Sequence, residues 1–162
     1  MTITDFFQQY HDQSNLGNTP ENKGQCVGLV ELWIRANDLP QIWGNAADII
    51  FNADPKDYNR EYAPLIHPVN PGDIVFWNRN LGNGFGHCGI FYSQTGTGFI
   101  SFDQNWLNDH KAILVNHLWT NILGVLSFKN KAPIPTPPQP NNELEAYKHH
   151  VRDLINDLIT KL

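Results

Sequence analysis

Apolar residues recur at helical spacing in the first third of the chain. The first stripe predicts a short helix, capped by Thr2 or Thr4, and consists of Ile3, Phe6, Phe7 and Tyr10. A longer helix is predicted over residues 26–37, because the apolar stripe that follows Cys26 contains Val27, Leu29, Val30, Trp33 and Ile34. Pro40 prevents its continuation, and residues 44–50 predict a third, short helix.

From residue 70 onward the pattern changes to short apolar runs separated by turn-forming residues. Asn70-Pro71-Gly72-Asp73 has the proline and glycine positions of a type II turn. Strands are predicted over residues 74–77, 87–93, 99–106, 112–119 and 122–128, the last two completing a meander. Residues 58–67 show neither period and are interpreted as a loop. Helices followed by an antiparallel sheet predict an α+β domain.

The C-terminal part of the chain has a different composition. Residues 131–142 contain five prolines, which predicts a stiff linker after a domain of residues 1–130. Residues 143–162 predict an amphipathic helix. A lone helix of about 20 residues is marginal in water, so its apolar stripe predicts a partner. Docking on the domain and the start of a module that the sequence lacks are two interpretations. Self-association, for example as a coiled coil, is the favoured one.

Composition narrows the class of protein. A net charge of −5 argues against nucleic acid or an anionic membrane as the main partner. Two cysteines, far apart in sequence, do not make a disulfide framework. No apolar signal segment follows Met1, and no apolar run approaches the length of a membrane span. We therefore expect a protein made in the cytoplasm without an export route of its own.

Cys26 is the first candidate for chemistry. It falls in the first turn of the predicted helix, where unpaired N–H groups and the helix dipole favour thiolate over thiol. A thiolate is a nucleophile, so the position suits catalysis. The alternative is a buried cysteine that only fills space, and a base elsewhere in the chain must decide between them.

His87 is the best candidate for that base. It begins a predicted strand after a glycine-rich loop, and Gly86 and Gly89 allow a close approach of substrate or backbone. Strand alternation places His87 on one face and Cys88 on the other, so Cys88 is interpreted as a buried structural thiol. Surface positions are expected for the six remaining histidines, His11, His67, His110, His117, His149 and His150.

The next predicted strand supplies polar partners. Alternation places Ser101, Asp103 and Asn105 on one face, opposite Gln104 and Trp106. Buried polar side chains need partners, so Asp103 or Asn105 is expected to bond the His87 imidazole and fix its tautomer. The alternative is a polar face that is merely hydrated.

These residues together carry a resemblance to a known family. Four motifs resemble the CHAP domains (cysteine, histidine-dependent amidohydrolase/peptidase) of phage endolysins and bacterial wall-remodelling enzymes: Gly24-Gln25-Cys26, residues 71–77, residues 86–90 and residues 103–106. The resemblance covers roughly residues 5–128. It implies a papain-like α+β fold, Cys26 as nucleophile and His87 as base. Asp103 stands where the family has an acid, commonly glutamate, and Asn105 matches its asparagine.

The sequence departs from the family pattern in two places. Some members carry an aspartate-rich calcium loop before the cysteine and an aspartate two residues after it. Here Glu21 is the only carboxylate of residues 17–23, and Gly28 stands two residues after Cys26, where those members have the aspartate. A hard cation needs several oxygen ligands, so we expect no calcium and no other cofactor. Asp103 is one methylene shorter than glutamate, which would make Asn105 the main orienter of His87.

The resemblance implies hydrolysis of amide bonds in peptidoglycan. The Cys26 N–H and the Gln25 side chain are expected to hold the oxyanion. Trp33, Trp77 and Trp106 could line a substrate groove, although core positions are favoured. The amide bond cleaved would be the one that a D-Ala or cross-bridge endopeptidase cuts, or the one that an N-acetylmuramoyl-L-alanine amidase cuts.

The partner and place of action follow from the same resemblance. The expected substrate is the wall of a Gram-positive host, reached from the host cytoplasm through a separate membrane lesion. Two alternatives remain at this point. One is a metal site built from Cys26, His87 and Cys88, and the other is a non-catalytic wall-binding module.

Overall fold

Three helices occupy the N-terminal part of the chain. The computed structural model describes residues 1–129. Its helices are α1 (Ile3–Tyr10), α2 (Cys26–Ala36) and α3 (Ala46–Asn52). Thr2 caps α1 through a reciprocal pair of bonds with Asp5, so Thr2 rather than Thr4 is the cap. The predicted linker over residues 131–142 and the predicted helix over residues 143–162 lie outside the described residues.

Six strands form one sheet. They are β1 (Tyr58–Tyr62), β2 (Ile74–Trp77), β3 (His87–Gln94), β4 (Gly98–Gln104), β5 (Ala112–Leu118) and β6 (Ile122–Phe128). Neighbouring strands are antiparallel, in the order β1-β6-β2-β3-β4-β5. The predicted α+β class is therefore confirmed.

Two predictions about the sheet are wrong. Residues 58–62 form a strand rather than a loop, because β6 pairs with them from Tyr58↔Phe128 to Tyr62↔Gly124. The meander runs only from β2 to β5, since β6 crosses back to lie between β2 and β1. Both features depend on long-range pairing, which local periodicity does not encode.

The main core lies between α2 and one face of the sheet. Leu29, Val30, Trp33 and Ile34 of α2 are fully buried, in one cluster with apolar residues of β2, β3, β4 and β6. The opposite face carries a smaller cluster that includes Trp77, Phe91 and Phe99. Within residues 1–129, every helix falls short of the length and hydrophobicity that a bilayer-spanning segment needs.

Candidate active site

Cys26 is the first residue of α2, as the sequence predicts, and it is half-buried. It lines a cleft of about 410 Å³ together with Gln25, Phe85, Gly86, His87 and Asn105. The pKa of Cys26 lies well below its ordinary value. The main cause is a hydrogen bond from the Cys88 thiol, and contact with the His87 imidazole adds to it against the opposing effect of burial. This shift favours the thiolate form of a side chain that lines an open cleft.

His87 lies at the first position of β3, with only 7% of its surface exposed. Its Nε2 lies 3.3 Å from Asp103 Oδ2, which leaves Nδ1 for the Cys26 sulfur. Burial alone would lower the pKa of His87. Hydrogen bonds with Asp103 and Cys26 outweigh this effect and raise the pKa to about 10. Both shifts favour a thiolate–imidazolium pair of Cys26 and His87.

Asp103 is completely buried and is held by three donors. Its Oδ2 accepts from Nε2 of His87 and, at 2.8 Å, from Nε2 of His117. Its Oδ1 accepts from the Ser101 hydroxyl at 2.7 Å. Burial would raise the pKa of Asp103, but the bonds from His117 and then His87 lower it to about 2. The carboxylate is therefore ionised and available to stabilise imidazolium.

Gly89 explains how the short side chain of Asp103 reaches His87. The register of β3 and β4 pairs Ile90 with Phe102, and one step further along it brings Gly89 opposite Asp103. A Cβ at Gly89 would lie 2.0 Å from Asp103 Oδ1. The missing side chain leaves the space that the carboxylate fills. A direct Asp103–His87 contact, which the missing methylene had put in question, is thus present.

Asn105 occupies a different place from the one that alternation predicts. The strand ends at Gln104, and Asn105 adopts a left-handed backbone conformation with φ +64°. Its side-chain amide donates to Gln25 Oε1 at 3.2 Å, and its own Oδ1 accepts from the His110 N–H. The expectation that Asn105 is the main orienter of His87 is therefore wrong. Asn105 instead orients Gln25, which lines the same cleft as Cys26.

The same backbone reversal relocates Trp106. The centroid of its ring lies 5.0 Å from that of His87 and 4.5 Å from that of His117. Trp106 is therefore on the same face of the sheet as Asp103, and not on the opposite face. Trp77 is buried behind His87 at 5.3 Å. Trp33 is fully buried, and its indole N–H donates to Gly72 O at 2.8 Å. Trp33 and Trp77 are therefore core residues, and only half-buried Trp106 retains access to solvent.

Two residues dismissed on sequence grounds belong to the site. Cys88 is fully buried as predicted, yet it hydrogen-bonds Cys26, because α2 packs on the same face of the sheet. Burial and contact with Cys26 raise the pKa of Cys88, which keeps its proton. His117 was expected at the surface, but it is 6% exposed and bonds Asp103. The β4–β5 register places it opposite Phe99, and this pairing could not be read from the sequence.

Gln104 anchors the segment that precedes Cys26. This buried side chain accepts from the Leu16 N–H at 2.8 Å and donates to Leu16 O at 2.9 Å and to Gln25 O at 2.6 Å. His110 lies 3.0 Å from Gly24 O through Nδ1. The polar Gln104 on an apolar strand face was visible in the sequence, but its partners were not.

Comparison with known proteins agrees with this geometry. The profile of the CHAP domain family matches residues 15–105, more than half of the chain. The chain belongs to the CHAP family. No curated protein sequence matches this CHAP chain at a significant level.

Solved endolysin structures share the fold of this CHAP domain. The wild-type endolysin LysIME-EF1 matches with a TM-score of 0.57 and 21% identity, over 78% of this chain and 64% of its own. Ly7917 matches with a TM-score of 0.61 and 14% identity, over 78% and 60%. Ly7917 with the hydrolysing product of MDP matches with a TM-score of 0.62 and 14% identity, over 78% and 61%. The chain thus spans about three fifths of the length of these proteins.

The calcium site of some CHAP members does not fit this chain. A side chain at Gly28 would place its Cβ 2.2 Å from Asn22 O and 2.6 Å from Leu16 O. Backbone therefore fills the space that a ligand at position 28 needs. Among residues 1–129, no three histidine, cysteine, aspartate or glutamate side chains are arranged to hold a metal ion.

Proposed function

We propose that this CHAP domain is a peptidoglycan hydrolase of the endolysin type that cleaves amide bonds with Cys26 as nucleophile. The observation that carries the proposal is the chain of contacts from Cys26 through His87 to Asp103, which opens at its cysteine end into the cleft. Membership of the CHAP family and the fold shared with endolysins support the choice of substrate.

The chemistry follows from the charge states of the pair. The Cys26 thiolate attacks the amide carbonyl, and the imidazolium of His87 gives its proton to the leaving amine. His87 then activates the water that cleaves the thioester. Asp103 stabilises the imidazolium throughout, so its effect is greatest when His87 carries the proton.

Gln25 is the proposed side-chain donor to the oxyanion. Its carbonyl oxygen accepts from Asn105, which fixes the orientation of the amide in the cleft that Cys26 also lines. The backbone N–H of Cys26, at the start of α2, is the second donor. The exposed ring of Phe85 lines the cleft, where it is placed to contact the sugar or stem peptide. Trp106 is half-buried next to the His87 ring.

The proposed scissile bond lies either within the stem peptide and cross-bridge or between the muramoyl group and the first alanine. A D-Ala or cross-bridge endopeptidase frees the amine of an amino acid within the peptide, whereas an N-acetylmuramoyl-L-alanine amidase frees the amine of the first alanine. Mass spectrometry of digested Gram-positive walls identifies the new amine and so distinguishes the two. Ly7917 was solved with the hydrolysing product of MDP, which supports looking first at the peptide next to the muramoyl group.

The test of the proposal compares wild type with Cys26→Ala and His87→Gln on purified walls. We expect the full chain to release amines and both variants to lose activity, by at least about 10²–10⁴ for the base alone. Thermal unfolding verifies that the variants fold. Undiminished hydrolysis by Cys26→Ala would contradict the mechanism. A wild-type protein that sediments with walls but releases no amines would instead be a binding module.

A further inference from the structure

Two imidazoles share the Asp103 carboxylate, and only one of them faces the nucleophile. His117 Nε2 lies 2.8 Å from Oδ2, whereas His87 Nε2 lies 3.3 Å from the same oxygen. An ionised carboxylate is only an acceptor, so both histidines must carry a hydrogen on Nε2. The bond from His117 is the shorter of the two.

The surroundings of His117 keep its ring in place. Trp77 lies 4.7 Å from it, Phe99 lies 5.4 Å from it, and Trp106 stands edge-on at 4.5 Å and 88°. With 6% of its surface exposed, His117 cannot readily exchange Asp103 for water. Ser101 holds the other carboxylate oxygen at 2.7 Å. Asp103 therefore has a fixed orientation that does not depend on His87.

We propose that His117 is a positioning residue: it locks the Asp103 carboxylate and, through it, sets the charge state of the Cys26–His87 pair. The inference rests on that pair being the reactive centre of the proposed hydrolase. A carboxylate with one donor fewer is free to turn about its side chain, and His87 then loses part of its stabilisation as imidazolium. The Cys26 thiolate, which faces that imidazolium, becomes less favoured in turn.

Three titratable groups surround the pair, each on a different strand. Cys88 on β3 contacts the Cys26 sulfur, Asp103 on β4 contacts His87, and His117 on β5 contacts Asp103. A histidine that only fills a buried position would leave the titration of Cys26 unchanged. Replacing a histidine that positions Asp103 would shift the titration of Cys26, so the two roles predict different results.

The experiment measures the rate at which iodoacetamide alkylates Cys26 in the full chain as a function of pH, followed on the Cys26 peptide by mass spectrometry. His117→Phe keeps a ring but removes the donor, and we expect its midpoint to rise by about one pH unit. His117→Gln places an amide N–H near the position of Nε2, so its midpoint should stay close to that of wild type. His67→Phe, a substitution at an exposed histidine, is the control and should change nothing.

Two results would overturn the proposal. One is an unchanged midpoint in His117→Phe, and the other is an equal shift in His117→Phe and His117→Gln, which would indicate packing rather than hydrogen bonding. If His117→Phe does not fold, imidazole ¹⁵N spectra of the wild type decide, because an unprotonated Nε2 on His117 contradicts donation to Asp103. Alkylation needs no wall substrate, so a protein inactive on peptidoglycan can still pass or fail this test.

Discussion

A single methyl group at Gly89 tests whether the position of the Asp103 carboxylate matters for catalysis. The added Cβ would lie 2.0 Å from Asp103 Oδ1, a distance at which real Cβ atoms essentially never occur. The carboxylate must retreat by at least about 1 Å, because it is the side chain and not the strand that can move. The bond to His87 is already 3.3 Å long and does not survive such a shift.

The expected loss in Gly89→Ala has two parts. A misplacement of about 1 Å in a catalytic group costs about 10² in rate, so amine release from walls should fall by roughly that factor. Overpacking should lower the free energy of unfolding by about 1–3 kcal/mol, measured by urea denaturation at 25 °C. The rate is measured where the variant remains folded, so that the two effects are separate.

Gly96→Ala is the matched control. Gly96 lies in the turn between β3 and β4, and a Cβ there would have nothing within 4 Å. We expect it to keep both activity and stability. A folded Gly89→Ala with the wild-type rate would refute the reasoning, because it would show that Asp103 need not occupy its present position.

Two further predictions concern pH and metal ions. Burial raises the pKa of Glu31 to about 7, so its protonated form stabilises the fold fully below about pH 4.5, and this contribution is lost as the pH rises through 7. Between pH 5 and 8 the free energy of unfolding of the wild type, measured in urea, should fall by about 2–3 kcal/mol, whereas that of Glu31→Gln should not show this decrease. Equal pH dependence of the two proteins would be evidence against a buried acid. Because backbone fills the space at Gly28, protein dialysed against EDTA should hydrolyse walls at its original rate. Loss of that activity, with recovery on addition of calcium, would show that a cation site exists after all.

Local patterns were sufficient for the helices and for most of the strands. The period of the apolar residues predicted α1 over its whole range and placed Cys26 at the start of α2. These features depend on side chains a few positions apart, so the information is present in any window of about ten residues. The family motifs identified Cys26, His87 and Asp103 for the same reason, since each lies within a short stretch of characteristic neighbours.

Alternation failed where the backbone left the extended conformation. Asn105 has φ +64°, and from that residue onward the faces predicted for Asn105 and Trp106 no longer apply. Asparagine adopts a positive φ at a smaller cost than most other non-glycine residues, and the adjacent sequence does not predict this conformation. The partner of Gln25 and the position of Trp106 beside His87 both follow from this single residue.

The chemistry of the site depends on pairings between segments far apart in the chain. The amino-acid order alone picked out Cys26, His87 and Asp103 as candidates, because each lies within a characteristic local motif. It could not reveal that His117, fourteen residues beyond Asp103, turns inward to the same carboxylate, or that Cys88 meets Cys26 across the packing of α2 on β3. Contacts of that kind are fixed by strand register and helix packing, which arise from the burial of the whole core rather than from any local pattern.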